Sequence, residues 1–243
     1  MHYHMSVFGD FESTWRQAEM SYRQIMRKSD PVNFITVLRE PRSHLLSYYY
    51  FYLQPNTQQS IEEFLFNPKP NSKAQHRRLY NPLAAEFGIK NMEHLEDFIS
   101  TSLVTFKLVL LTERFDEGLM VLRRMLNWDI IDTSYLTLFK TRAGGRRYDG
   151  KKLSDVPHFD SLRPEVQQHI DKLTYMDTML YEAGKKQFEK RLKPLEGNVA
   201  SDLVKFRELQ KLVADYMEFN QTSLSKKLYK SLDIYHSNDC YDF

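Results

Sequence analysis

The sequence is short of several things that would narrow its class at once. Its one cysteine, Cys240, leaves no intramolecular disulfide to form, so cysteine usage says nothing for a secretory compartment. No apolar run approaches the roughly 20 residues of a membrane-spanning helix. The opening Met1-His2-Tyr3-His4-Met5 has no basic segment followed by an apolar stretch, so it does not read as a signal peptide. A net charge of +2 excludes a global field that would gather nucleic acid or an anionic membrane surface, although a few arginines suffice for one phosphate. Zinc-ligand spacing, a nucleophile elbow and a Walker-type phosphate loop are all missing. There is no internal repeat and no low-complexity block.

What is present is enough for one sizeable domain. The chain has 243 residues, 42% of them hydrophobic, and an aromatic share of 14% rich in tyrosine. Tyrosine pairs an apolar ring with a polar tip and suits either a core or a sugar or nucleotide contact. Two β-rich runs, Phe34 to Leu38 and Phe106 to Leu111, read as strands of the buried type. A weaker strand is expected over Tyr3 to Phe8. Helical pattern is read over about 12–28, 42–53, 61–66, 74–87 ending at Gly88, 91–103 and from Thr112 to Leu126. It resumes as one long helix from Pro164 to about Leu192, then over about 201–219 after an interruption at Pro194 and Gly197. Strands separated by helices predict an α/β fold, a three-layer parallel sheet flanked by helices. Ligands of such sheets bind at the carboxyl ends of the strands, which puts Arg39, Thr112 and Glu113 at the expected site edge.

Three segments carry candidate chemistry. In Phe34 to Leu53, Arg39 leaves a strand, Pro41 turns the chain, and Ser47 follows Arg39 by eight residues on a helix. A guanidinium gives a planar two-point contact to a phosphate, and a hydroxyl adds a further donor. The residues alone equally allow Arg39 to cap the strand or pair with Glu40, and Ser47 to fill a helix. His2 and His4 alternate in what reads as a strand; they suit either a general base or a solvated end. Lys140 to Arg147 holds two glycines and four basic side chains, a loop fit for an anion or simply a solvated one.

A strand, then R-x-P, then Ser eight residues after the Arg, then aromatics, resembles the 3′-phosphate-binding motif of sulfotransferases that use 3′-phosphoadenosine 5′-phosphosulfate. The run SYYYF is also similar to the uronyl and heparan 2-O-sulfotransferases. LVLLTERFDEGLMVLRRMLNWDIIDTSYLTL (108–138) and YNPLAAEFGI (80–89) resemble the galactose-3-O-sulfotransferase (galactosylceramide sulfotransferase) family. The likeness runs from about His4 to Leu192. It implies the P-loop-like nucleotide-binding sulfotransferase fold, with residues 1–220 as catalytic domain and 221–243 as a polar tail. It implies Arg39 and Ser47 on the 3′-phosphate, His4 as general base, and Arg146 and Arg147 as further nucleotide contacts.

The reaction implied is transfer of a sulfuryl group from 3′-phosphoadenosine 5′-phosphosulfate to the 3-hydroxyl of galactose, with galactosylceramide or a galactose-ended glycan as acceptor. No metal and no nucleic acid take part, and Golgi membrane residence follows from the family alone. The alternatives are a glycosaminoglycan uronyl 2-O-sulfotransferase and a non-catalytic sulfotransferase-like binding protein. The sequence departs from the family in one respect: the first strand and the Lys-x-Gly-Ser/Thr loop that cradles the 5′-phosphosulfate are expected to be missing, which predicts a fragment of an active enzyme.

Overall fold

A computed structural model describes residues 33–69, 76–135 and 156–220. The expected Tyr3–Phe8 strand, the helix over 12–28, the basic loop at 140–147 and the tail from Gln221 lie outside them.

Both runs form strands, but only the second is the buried strand expected: in the first Leu38 alone is buried and Val37 is 48% exposed. β1 (Ile35–Leu38) pairs parallel with β2 (Leu108–Leu111), with Ile35 opposite Leu108 and Leu38 opposite Leu111. All four residues of β2 are buried, so it is covered on both faces, as an unbroken apolar strand requires. Around this small sheet the described residues are mostly helical.

The chain divides into two compact units. The first comprises 1–118 and 140–194, and the second 119–139 and 195–243. In the first, β1 leads into α1 (Pro41–Tyr48), whose first position is a proline. A wider turn over Tyr49–Leu53 and a last helical turn over Gln54–Thr57 extend it. Pro55 lacks an N–H, and its ring would crowd the carbonyl of Phe51 in a regular helix; the widened turn relieves that conflict. The short helix α2 (Ile61–Phe66) follows, held by a capping box in which Ser60 and Glu63 bond each other's backbone. Then come α3 (Pro82–Glu86), α4 (Met92–Asp97), β2 and the start of α5 (Phe115–Leu126). α6 (Pro164–Leu173) and α7 (Tyr175–Leu192) complete the unit.

Its helical core joins Leu45, Leu46, Tyr49, Phe64, Leu79 and Ile170, each at most 2% exposed. Burying each such side chain stabilises the fold by about 1.5–3 kcal/mol. Tyr49 belongs to this core: its hydroxyl donates to the carbonyls of Gln59 (2.9 Å) and Ser60 (3.2 Å).

In the second unit, α8 (Glu196–Asn220) is longer than the pattern predicts, and Gly197 lies within its first turn rather than ending a helix. Asp202, 6% exposed, accepts from Arg123 (2.9 Å) and Arg124 (2.6 Å), so its charge is paired twice.

Two expectations are corrected. The helix expected over 74–87 is interrupted: among the described residues His76 and Arg77 are helical, the chain then turns, and α3 starts only after Asn81, whose left-handed backbone (φ 45°) cannot continue a helix. Gly88 itself takes φ 73°, as a residue past a helix end does. The single helix expected from Pro164 to Leu192 is two, broken at Thr174. Asn81 causes the break: its N–H donates to the Leu173 carbonyl (2.8 Å), and its Oδ1 accepts the Met176 N–H (2.9 Å). Backbone groups that a continuous helix would pair internally are bonded from another segment instead.

α7 lies against the sheet through Gly184. A Cβ there would stand 2.5 Å from Leu38 Cδ1 and 3.0 Å from Val109 Cγ1, so any larger residue would force the Leu38 side chain to shift. α7 also runs antiparallel to β2. Its Tyr181 meets Glu113, just past the strand, whereas its Gln187 donates to the carbonyls of Leu103 (2.9 Å) and Phe106 (3.0 Å), just before it.

Candidate functional site at the carboxyl ends of the strands

The segments that leave β1 and β2 are tied together. Thr112 Oγ1 donates to the Leu38 carbonyl (3.1 Å). Glu113 accepts the Glu40 N–H on Oε1 (2.8 Å) and the Tyr181 hydroxyl on Oε2 (3.2 Å). Burial and the Glu113 carboxylate together push the Tyr181 phenol up to about 12, so it stays a donor at any physiological pH.

Glu40 has a second task. Its carboxylate accepts the N–H groups of Arg42 (3.1 Å) and Ser43 (2.7 Å) and so caps α1. A carboxylate spent on a helix N-terminus is not paired with its neighbour: among the described residues Arg39 has no carboxylate partner. Of the two readings open for Arg39, pairing with Glu40 is therefore not the one adopted. Arg42 is different, since its Nε bonds Asp171 (2.7 Å) and its guanidinium lies 4.5 Å above the Phe159 ring.

Arg39, His44 and Ser47 are each half-buried. Ser47 follows His44 by three residues on α1, so the two share a helix face. Ser47 makes no side-chain hydrogen bond among the described residues. His44 was not singled out from the sequence, though its place between Arg39 and Ser47 was a usable signal. Its Nε2 is buried without a hydrogen-bond partner. Burial first, and the Arg39 charge second, lower its pKa to about 4, so the ring is neutral at pH 7.

Arg39 puts a fixed positive charge beside the end of a parallel strand, near enough to His44 to act on its titration, and Ser47 carries a hydroxyl on the same helix face as His44. That arrangement suits an anion. His4, Arg146 and Arg147 lie outside the described residues. Tyr48 is only partly buried, against the helical core, and Tyr49 is wholly inside it. Among the described residues no group of three or more His, Cys, Asp or Glu side chains is arranged to hold a metal ion. No helix there is long and apolar enough to cross a membrane.

These features describe a mostly helical protein with a small parallel sheet, compatible with an α/β fold, and with an arginine that has no carboxylate partner among the described residues at the carboxyl end of β1. The galactose-3-O-sulfotransferase family model matches residues 15–211, and the chain belongs to that family. It is 33% identical to galactose-3-O-sulfotransferase 3 of Homo sapiens over 46% of this chain and 30% of that protein. The Bos taurus protein of the same name is equally similar over the same shares. Galactose-3-O-sulfotransferase 2 of Mus musculus is 28% identical over 61% of this chain and 38% of its own length. The chain thus spans about a third of the length of the curated relatives it matches. No solved structure matches it.

Proposed function

We propose that this chain is the greater part of a carbohydrate sulfotransferase catalytic domain, residues 1–220, of the nucleotide-binding sulfotransferase fold. Its reaction moves a sulfuryl group from 3′-phosphoadenosine 5′-phosphosulfate to the 3-hydroxyl of a galactose on a glycolipid or glycan. The observation that carries the reading is Arg39: half-buried, without a carboxylate partner among the described residues, beside the end of a parallel strand, in a chain of this family.

Arg39 gives the 3′-phosphate a two-point contact, and the Ser47 hydroxyl adds a donor from the next helix. His4 takes the proton of the galactose 3-hydroxyl as its oxygen attacks sulfur. A new S–O bond forms, the bond from sulfur to the 5′-phosphate oxygen breaks, and adenosine 3′,5′-bisphosphate leaves. Arg146 and Arg147 add positive charge where the nucleotide's charge develops. The reaction needs no metal, and the family's setting is the Golgi membrane.

The test is calorimetry with adenosine 3′,5′-bisphosphate. Wild type is expected to bind, and Arg39→Ala to bind about thirtyfold more weakly, the loss of one charged hydrogen-bonding pair of about 2 kcal/mol. A folded wild type that does not bind, or an Arg39→Ala protein that binds equally well, would sink the reading.

A further inference from the structure

One cleft in the first unit has no part in the nucleotide site. It encloses about 520 Å3 and is lined chiefly by Tyr80, Tyr175, Lys90, Asn91, Met92 and Met176. Tyr80 is 54% exposed and Tyr175 46%, so two large rings stand open at one cleft. Isolated exposed apolar side chains need no explanation, but two rings beside convergent polar groups do.

The polar groups are mostly donors. Asn91 Oδ1 is spent on the His94 N–H (2.9 Å), where it caps α4. Its Nδ2 has no partner among the described residues and remains a donor. Asn81, also on the lining, spends its Oδ1 on Met176 in the same way. Lys90 brings an ammonium, and no carboxylate lines the cleft. Methionines 92 and 176 supply adaptable apolar surface.

The cleft's side of the sheet follows from the direction of α7. Tyr181 sits at the carboxyl end of β2 and Gln187 at its amino end. Tyr175 precedes Tyr181 by six residues, or about 9 Å of helix, on the side away from Gln187. Tyr175 therefore lies past the carboxyl ends of the strands, the side on which Arg39 also lies.

A pyranose ring has an apolar C–H face and a rim of hydroxyl oxygens. Open tyrosine rings match the face, and carboxamide, ammonium and phenol donors match the rim. We propose that this cleft is a pyranose-binding subsite that holds the terminal neutral sugar of the acceptor. This rests on the sulfotransferase reading for the word acceptor, but not for the binding of the sugar.

The experiment is saturation-transfer NMR on the full chain with methyl β-D-galactopyranoside, in parallel with adenosine 3′,5′-bisphosphate calorimetry. Wild type is expected to transfer saturation to the sugar. Removing both rings in a Tyr80→Ala/Tyr175→Ala protein should weaken the transfer about fivefold or more, since each stacked ring contributes modestly. Lys90→Ala, an exposed change that cannot disturb the core, should weaken it as well. Arg39→Ala should leave it unchanged.

No transfer to wild type, undiminished transfer to the double variant, or a preference for methyl β-D-glucuronide would each overturn the proposal. Nucleotide binding without sugar binding would remove the cleft and leave the proposed function standing. Ring-dependent sugar binding without nucleotide binding would do the reverse.

Discussion

Two polar regions of the first unit are built from similar residues and spend them differently. Where Asn81 meets the junction of α6 and α7, the bonding capacity is turned inward. Asn81 bonds Leu173 and Met176, and Asp177, 0% exposed, accepts the N–H groups of Leu83 (3.2 Å) and Ala84 (2.8 Å) at the start of α3. At the carboxyl ends of the strands, Glu40, Glu113 and Thr112 are committed to backbone in the same manner, but among the described residues Arg39 has no carboxylate partner and the His44 Nε2 and Ser47 hydroxyl have no hydrogen-bond partner. Polar groups saturated by backbone hold architecture together. Polar groups held in place with capacity to spare are what a ligand can use.

The comparison breaks most visibly through Asp177→Ala. Two buried N–H groups would lose their acceptor, and α3 its cap. Denaturant unfolding should register about 3 kcal/mol of lost stability. Arg39→Ala should behave in the opposite way, with about 2 kcal/mol lost in nucleotide binding and the unfolding midpoint hardly moved. A large fall in the midpoint would mean that Arg39 serves the fold instead. Gly184→Ala lies between these. Overpacking against Leu38 and Val109 costs about 1–3 kcal/mol, and the better helix propensity of alanine returns up to about 1, so a net loss near 1 kcal/mol is expected in the same unfolding assay.

A further effect is one of pH, and its sign differs between the two regions. His44 is lowered to about 4 by burial and by Arg39, so between pH 4 and 6.5 the unfolded chain binds a proton that the fold refuses. That contribution to stability is lost as pH falls through the window, and His44→Gln should flatten it. Asp177 is raised to about 7, mainly by burial and despite the two backbone donors. Its fold keeps a proton between pH 3.8 and 7 that the unfolded chain has released, so its contribution declines as pH rises. Urea midpoints measured from pH 4 to 7 for wild type, His44→Gln and Asp177→Asn should separate the opposing slopes. A His44→Gln profile parallel to wild type would show that His44 titrates normally.

Part of this molecule was legible in its residues. Phe34 to Leu38 and Phe106 to Leu111 are largely apolar, β-rich runs, and both pair as parallel strands, the second of them covered on both faces. The stretches 108–138 and 80–89 marked the family to which the chain belongs.

Local pattern could not decide the rest, because the deciding partners are far away in the chain. The break at Thr174 depends on Asn81, 93 residues earlier, and the cap of α3 on Asp177, 93 residues after Ala84. Tyr48, Tyr49 and Tyr50 are the same letter in a row, yet only the packing of α1 against Phe64 and Ile170 decides that Tyr49 is core. The sequence by itself determined the strands, the turn after them and the kinship, because each rests on neighbours within a few residues. The lack of a carboxylate partner for Arg39 among the described residues, the neutral imidazole of His44 and the cleft between Tyr80 and Tyr175 were decided only by the tertiary structure, because burial and hydrogen bonding depend on which distant segments share one space.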